Sequence, residues 1–292
     1  MVSFVVERRR QFEANSNWRR YTKQILLKVR CTNMEDKEGL DAAALAGRIL
    51  LQNGAEIFRV EETIERIAKS YGLEGNSSFV LSSGIFITEE KDDKHFYANV
   101  KHIPLSAAHL DRVAAVNQLS REIEEGKYTS AQAIDELHKI QNMPEKPIAA
   151  QVLASGIGSA SFGYLFGGSL WDSFAAFFVG SLLWILLCIL SRRKKRTTKI
   201  MLNLGGGMFL TIMAIILYRI GIGDNLNHIV IGSIIPLVPG VAFTNAIRDI
   251  ANEDYISGIV RMVDALLIAF CIALGVGIVF TVYHRMIGGV VL

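Results

Sequence analysis

Five stretches of the chain contain no Asp, Glu, Lys or Arg: Pro147 to Trp171, Ser173 to Ser191, Ile200 to Tyr218, Asn225 to Ile247 and Ala265 to Tyr283. A bilayer core about 30 Å thick needs roughly 20 apolar residues at 1.5 Å rise, so each run is long enough to cross it as a helix. They imply an α-helical integral membrane protein with five transmembrane helices, at about 147–168, 171–191, 200–220, 227–247 and 260–284. The fourth run carries His228, and Asp264 directly precedes the fifth.

Charge divides the chain in the same place. Residues 1–146 hold 21 basic and 22 acidic side chains, whereas 147–292 hold 10 and 6. Together with 51% hydrophobic residues, this excludes a disordered or collagen-like chain. Three parts are expected: a basic disordered arm over 1–39, a cytoplasmic α+β domain over 40–146 and a transmembrane domain over 147–292.

The orientation follows from one basic run, Arg192, Arg193, Lys194, Lys195, Arg196 and Lys199, between the second and third spans. Positive charge beside helix ends stays on the cytoplasmic side. The N-terminal half is therefore expected in the cytoplasm and the C-terminus outside, in a multi-pass protein of the cell membrane. This clustering points to a lipid bilayer and away from nucleic acid. No apolar h-region of a cleaved signal stands near the N-terminus. Patterned sequence begins only at Leu40, which makes Met34 a candidate translation start.

In the soluble half, Leu40 to Tyr71 reads as one long amphipathic helix stopped by Gly72. Phe79 to Thr88 and Phe96 to Ile103 read as a hairpin about the charged turn Glu89 to Lys94. Ser106 to Glu125 and Thr129 to Gln141 read as helices, the second opened by a Thr129/Gln132 capping box. His95, His102, His109 and His138 lack metalloprotease spacing, and no GxSxG, Walker A or GxGxxG pattern occurs. Cys31, Cys188 and Cys271 are far apart and odd in number. No catalytic residue, metal site, cofactor or disulfide is assigned, and the chain is not expected to be an enzyme. Glu56, Arg59, Glu61 and Glu62 form either a docking face or a solvated face with local ion pairs.

The spans are rich in small residues that let helices approach closely, among them Gly163 and Gly167 at GxxxG spacing and the triplet Gly205, Gly206, Gly207. A pore-lining triplet is the alternative to simple tight packing. The fourth span is the most irregular. Pro236, Pro239 and Gly240 break its helix near membrane depth, where freed backbone groups persist only if protein, water or a ligand satisfies them. Beyond the break, Asn245 and Asp249 share one helical face, with Thr244 and Arg248 on the next. Pro236, Pro239, Gly240, Thr244, Asn245, Arg248 and Asp249 are accordingly the candidate substrate-binding residues, and Asp264 is the proton-coupling candidate. Arg261, Asp224 and His228 are weighed with them as ionisable groups at the spans, and an interfacial position is the alternative for Arg248, Asp249, Arg261, Asp224 and His228 alike.

Two stretches carry a resemblance. Gly54-Ala55-Glu56-Ile57-Phe58-Arg59-Val60-Glu61-Glu62-Thr63 is one. The other is Pro239-Gly240-Val241-Ala242-Phe243-Thr244-Asn245-Ala246-Ile247-Arg248-Asp249, followed by Asp254-Tyr255-Ile256-Ser257-Gly258. In this order they resemble the N-terminal half of the threonine/serine exporter family, as found in ThrE-like and YjjP-like proteins. The resemblance implies a proton-driven exporter of small hydrophilic metabolites, with threonine and serine as substrates in one branch and the dicarboxylate succinate in another. Five spans suggest its split form, so a second small membrane subunit, or a homo-oligomer, is the expected partner.

The expected mechanism follows from the residues. A substrate carboxylate binds the half-helix start near Pro239 and Gly240 or Arg248, an amine binds Asp249 or Asp264, and burial raises the Asp264 carboxyl into the working range. The competing readings are a non-transporting five-span scaffold or regulatory subunit, and a membrane enzyme, which the missing catalytic constellation weakens.

Overall fold

A computed structural model describes residues 37–73, 76–91, 95–102, 109–192 and 198–287. The expected arm through residue 36, with Cys31 and Met34, and the basic residues Arg193 to Arg196 lie outside the described residues. The chain divides into two compact units between Met143 and Pro144.

The first unit opens with α1 (37–52) and α2 (Ile57–Ser70). One continuous helix was expected here, and Gly54 interrupts it. Its φ of 83° is left-handed, the conformation that ends a helix. Gly54 N–H donates to Leu51 C=O at 3.3 Å and Ala55 N–H to Leu50 C=O at 3.0 Å, which satisfies carbonyls the helix leaves open. Much of the first family-like stretch is therefore structural. Glu56, mostly buried, pairs with Arg59 at 3.0 Å, Glu62 pairs with Arg66 at 2.6 Å, and Glu61 Oε1 accepts the Val80 N–H at 2.9 Å.

Val80 belongs to an antiparallel sheet of β1 (Asn76–Leu81), β2 (Gly84–Lys91) and β3 (His95–His102), in that order. The run expected to be a single strand from Phe79 to Thr88 folds back on itself, because Leu81 pairs with Gly84 across a two-residue turn at Ser82 and Ser83. Glu89, expected in a turn, lies in β2 opposite Tyr97. Period-two alternation sends Val80, Ile85 and Ile87 inward. There they join Ile57, Val60, Ile64 and Ile67 of α2 and residues of α3 (Leu110–Glu124) and α4 (Ser130–Gln141) in one core. The helix expected from Ser106 begins at Leu110, and the Thr129/Gln132 capping box opens α4 as expected.

The second unit is helical: α5 (Ile148–Leu165), α6 (Leu170–Arg192), α7 (Lys199–Ile220), α8 (Leu226–Ile234), a 3-10 turn (Ile235–Leu237), α9 (Gly240–Ala251) and α10 (Tyr255–Ile287). Helices α5, α6, α7 and α10 are each long and apolar enough to cross a membrane, and α8 and α9 qualify together with a 62° bend between them. The last span begins ten residues before the run that announced it, since Arg261 and Asp264 lie inside α10.

Whether α8 and α9 cross or turn back is decided by the helices on either side. Lys199, at the start of α7, lies 3.7 Å from Asp264, and Arg219, near its end, donates to the Tyr283 hydroxyl at 2.8 Å. Between these contacts Gly207 meets Ile272 and Gly275. The register is constant and parallel. Helices α7 and α10 run in the same direction, so the bent pair must carry the chain from one end of the bundle to the other.

Small residues set these crossings. A Cβ on Gly207 would fall 2.7 Å from the Ile272 carbonyl oxygen, and one on Gly232 would fall 2.7 Å from that of Ser159 and 2.8 Å from Gly163 Cα. Of the triplet, Gly206 and Gly207 face packed helices and Gly205 faces open space, so tight packing accounts for two of its three members. Nor do Gly163 and Gly167 form a GxxxG face. Gly167, with φ of 95°, ends α5: its N–H donates to Tyr164 C=O, and the Gly168 N–H donates to Gly163 C=O.

Candidate functional site

The break in the fourth crossing falls where the two prolines place it. Pro236 sits in the first turn of the 3-10 segment, and Pro239 precedes the first residue of α9 with no side chain capping that start. The opening of α9 is exposed at Gly240, and a Cβ there would meet nothing within 4 Å. From this open end, α9 runs twelve residues to an elbow with α10.

At the elbow, the Asp249 carboxylate is fully buried and accepts from Arg261 Nη1 at 2.9 Å, with the guanidinium side chain 5% exposed. Ser257, one turn before Arg261 in α10, is also buried. The chain turns through Glu253, the one non-glycine residue with positive φ (70°) among the described residues. Glu253 N–H donates to Ile250 C=O at 3.1 Å and Asp254 N–H to Asp249 C=O at 2.9 Å, the pattern that usually uses glycine. A left-handed non-glycine residue costs roughly 1–2 kcal/mol and persists where its surroundings over-determine it, often at functional sites. Gly258 permits the close approach: a Cβ there would lie 2.9 Å from the Ile250 nitrogen and 3.0 Å from the Ala246 carbonyl oxygen.

Asp254, just outside the helices, is half-buried. Burial pushes its carboxyl above the ordinary range, and the Arg261 charge opposes that shift. Arg261 thus pairs directly with Asp249 and lies within the electrostatic reach of Asp254 at the turn.

The expected site residues do not all converge. Asp249 is nine residues past Gly240, about 14 Å along the helix at 1.5 Å per residue, so one small substrate cannot bridge the helix start and Asp249 directly. Asp249 is also engaged by Arg261 and faces inward, not into a path shared with Thr244 and Arg248. Thr244 and Arg248 are exposed and Asn245 is half-buried; the Thr244 hydroxyl donates to Gly240 and Val241 carbonyls of its own helix, both at 3.1 Å. Asp264 stands 38% exposed beside Lys199, so the burial on which its coupling role depended does not hold within this chain. Among the described residues no group of three or more His, Cys, Asp or Glu side chains is arranged to hold a metal ion.

Two residues carry more than their sequence positions suggest. An interfacial position is one reading of Arg261, but a lone arginine inside a long apolar helix has to find an anion, and that is the signal in the sequence. Asp172 is not among the candidate residues, although Ser169-x-x-Asp172 before an apolar run is capping-box spacing.

The elbow is built by the second recognised stretch, and a family model spans it. The model described as "Putative threonine/serine exporter" matches residues 41–283. The chain belongs to this exporter family. Curated members at low identity include the "Probable succinate transporter subunit YjjP" of Escherichia coli K12, 23% identical over 245 residues (81% of this chain, 91% of that protein). The protein of the same name from Klebsiella aerogenes is 23% identical over 242 residues (80% and 90%). No solved structure matches the chain. In this family member the match runs through both units and stops within the last helix.

Proposed function

We propose that the chain is one subunit of a proton-driven exporter of small hydrophilic carboxylates in the cytoplasmic membrane. Its substrate is threonine and serine or a dicarboxylate such as succinate, its N-terminal unit faces the cytoplasm, and a second small membrane subunit completes it. The observation that carries this reading is the buried Asp249–Arg261 pair at the strained elbow of a broken crossing. A bundle gains little from burying an ion pair, because desolvation offsets the attraction. A transporter gains an exchangeable anion site. A substrate carboxylate entering at the cytoplasmic elbow takes Arg261 from Asp249 and moves on along the exposed face of α9, past Arg248, Asn245, Thr244 and Gly240. Asp264 and Lys199 lie on the same side of the bundle and belong to the approach. The succinate in the relatives' names supports an anionic substrate; the family description supports an amino acid, which presents the same carboxylate.

The test is efflux from preloaded cells lacking their own exporters, with the chain expressed alone and with its candidate partner, following labelled threonine, serine and succinate in parallel. Export of one substrate class that collapses with a protonophore is expected. No export under any pairing, with membrane insertion verified, would favour a non-transporting scaffold.

A further inference from the structure

At the end of the bundle opposite the α9–α10 elbow, several chain segments meet on one carboxylate. Asp172, in the first turn of α6, is 1% exposed. Its Oδ1 accepts N–H bonds from Asp224 at 2.7 Å and Asn225 at 2.8 Å, which fixes the connection into α8. Its Oδ2 accepts the Ser169 N–H at 2.9 Å, and Ser169 Oγ in turn accepts the Asp172 N–H at 3.1 Å and donates to Asp224 Oδ2 at 2.6 Å.

His228, in the first turn of α8, places Nδ1 3.7 Å from the same Oδ2, beyond hydrogen-bond length but within ion-pair reach. The imidazole is 28% exposed, so protons reach it while its partner stays dry. The ionisable groups facing it are Asp172 from α6 and, one hydrogen bond further out, Asp224 from the connecting loop; the end of α5 presents Gly163, Gly167 and Gly168.

We propose that His228 and Asp172 form a proton-operated latch between the starts of α8 and α6. A proton taken from water onto His228 gives an imidazolium whose N–H closes on Asp172 Oδ2, pairing a buried carboxylate with a cation; its loss returns a neutral ring and a looser contact. Imidazole is the side chain whose ordinary titration falls between pH 5 and 8. Helix α8 is nine residues long and runs directly into the Pro236–Pro239 break, so its start and the break belong to one short lever. The latch needs no exporter. If the proposed function holds, this end faces outward, and the latch is where an incoming proton first binds; that clause rests on the exporter reading.

The experiment uses the full chain in lipid nanodiscs. Melting temperature is measured from pH 5 to 8 for wild type and His228→Gln, because the difference between the two curves cancels the other histidines. If the imidazolium closes on Asp172, that pairing adds stability at the acid end and is lost when the ring gives up its proton. Wild type should therefore exceed His228→Gln by roughly 2–4 °C at pH 5, and the gap should close by pH 8. Asp172→Asn should erase the same pH dependence, and if it fails to fold the His228→Gln curve still decides. Superimposable curves would overturn the latch. Efflux at stepped external pH separates the two ideas: normal export by His228→Gln beside a pH-dependent melting gap keeps the latch and the exporter and overturns only the clause that an incoming proton first binds there, whereas a pH-dependent gap without any export keeps the latch and removes the exporter.

Discussion

Arg261→Ala should cost the membrane unit about 3–5 kcal/mol, because it leaves the Asp249 carboxylate, 0% exposed, buried without its guanidinium. The same reasoning predicts the opposite for the double replacement. Asp249→Leu with Arg261→Met removes both charges and keeps similar volume, and exchanges of this kind are often neutral or stabilising. Thermal unfolding in detergent, followed by the loss of the monodisperse species, measures both. What makes the comparison informative is transport. If the pair only fastens α9 to α10, the double variant should export as well as wild type. If Arg261 receives the substrate carboxylate, the double variant should be stable and inactive, and that is the outcome expected here. A stable double variant with normal efflux would reduce the elbow to a structural joint.

The second large effect is steric. A Cβ at Gly275 would run into the Leu204 carbonyl oxygen and would stand 3.0 Å from the Met208 nitrogen, both backbone atoms of α7. Overpacking a core usually costs about 1–3 kcal/mol where side chains can shift aside. Backbone cannot, so Gly275→Val should exceed that range and separate α10 from α7, with a large loss of folded protein on size exclusion. Gly277→Val, two residues along the same helix, is the control: a Cβ there meets nothing within 4 Å, and the isolated chain should tolerate it. Equal damage from both would mean that the parallel α7–α10 register is wrong, and with it the argument that α8 and α9 cross the bundle.

The membrane half was legible because its physics is one-dimensional. Uncharged length announces a span, and proline at Pro236 and Pro239 announces a break wherever the rest of the fold goes. Direction of packing was not legible. Asp249, Thr244 and Arg248 sit on adjacent faces by helical arithmetic, but only the position of α10 decides that Asp249 is covered while the other two remain exposed. Asp264 illustrates the same limit. Its place ahead of a long apolar run suggested burial, yet α10 begins nine residues earlier and Lys199 of α7 lies beside it.

In the first unit, apolar spacing alone continues the first helix through Gly54 and the first strand through Ser82 and Ser83. One left-handed residue and one two-residue turn outweigh an otherwise unbroken pattern. Asp172 shows the converse. Its capping-box spacing was present in the chain, but the use of its second oxygen to hold the start of α8 depends on a loop more than fifty residues away.

The central claim is that the exposed face of α9 lines the path the substrate takes, and labelling tests it most directly. Thr244→Cys is placed in a chain whose Cys31, Cys188 and Cys271 are replaced by alanine, expressed with its candidate partner subunit in inside-out vesicles, and exposed to a membrane-impermeant maleimide. Labelling is expected at Thr244→Cys, none at an Ile278→Cys control on the apolar surface of α10, and slower labelling of the former when the exported substrate is present. Labelling of neither position, or a Thr244→Cys rate indifferent to threonine, serine and succinate alike, would contradict it.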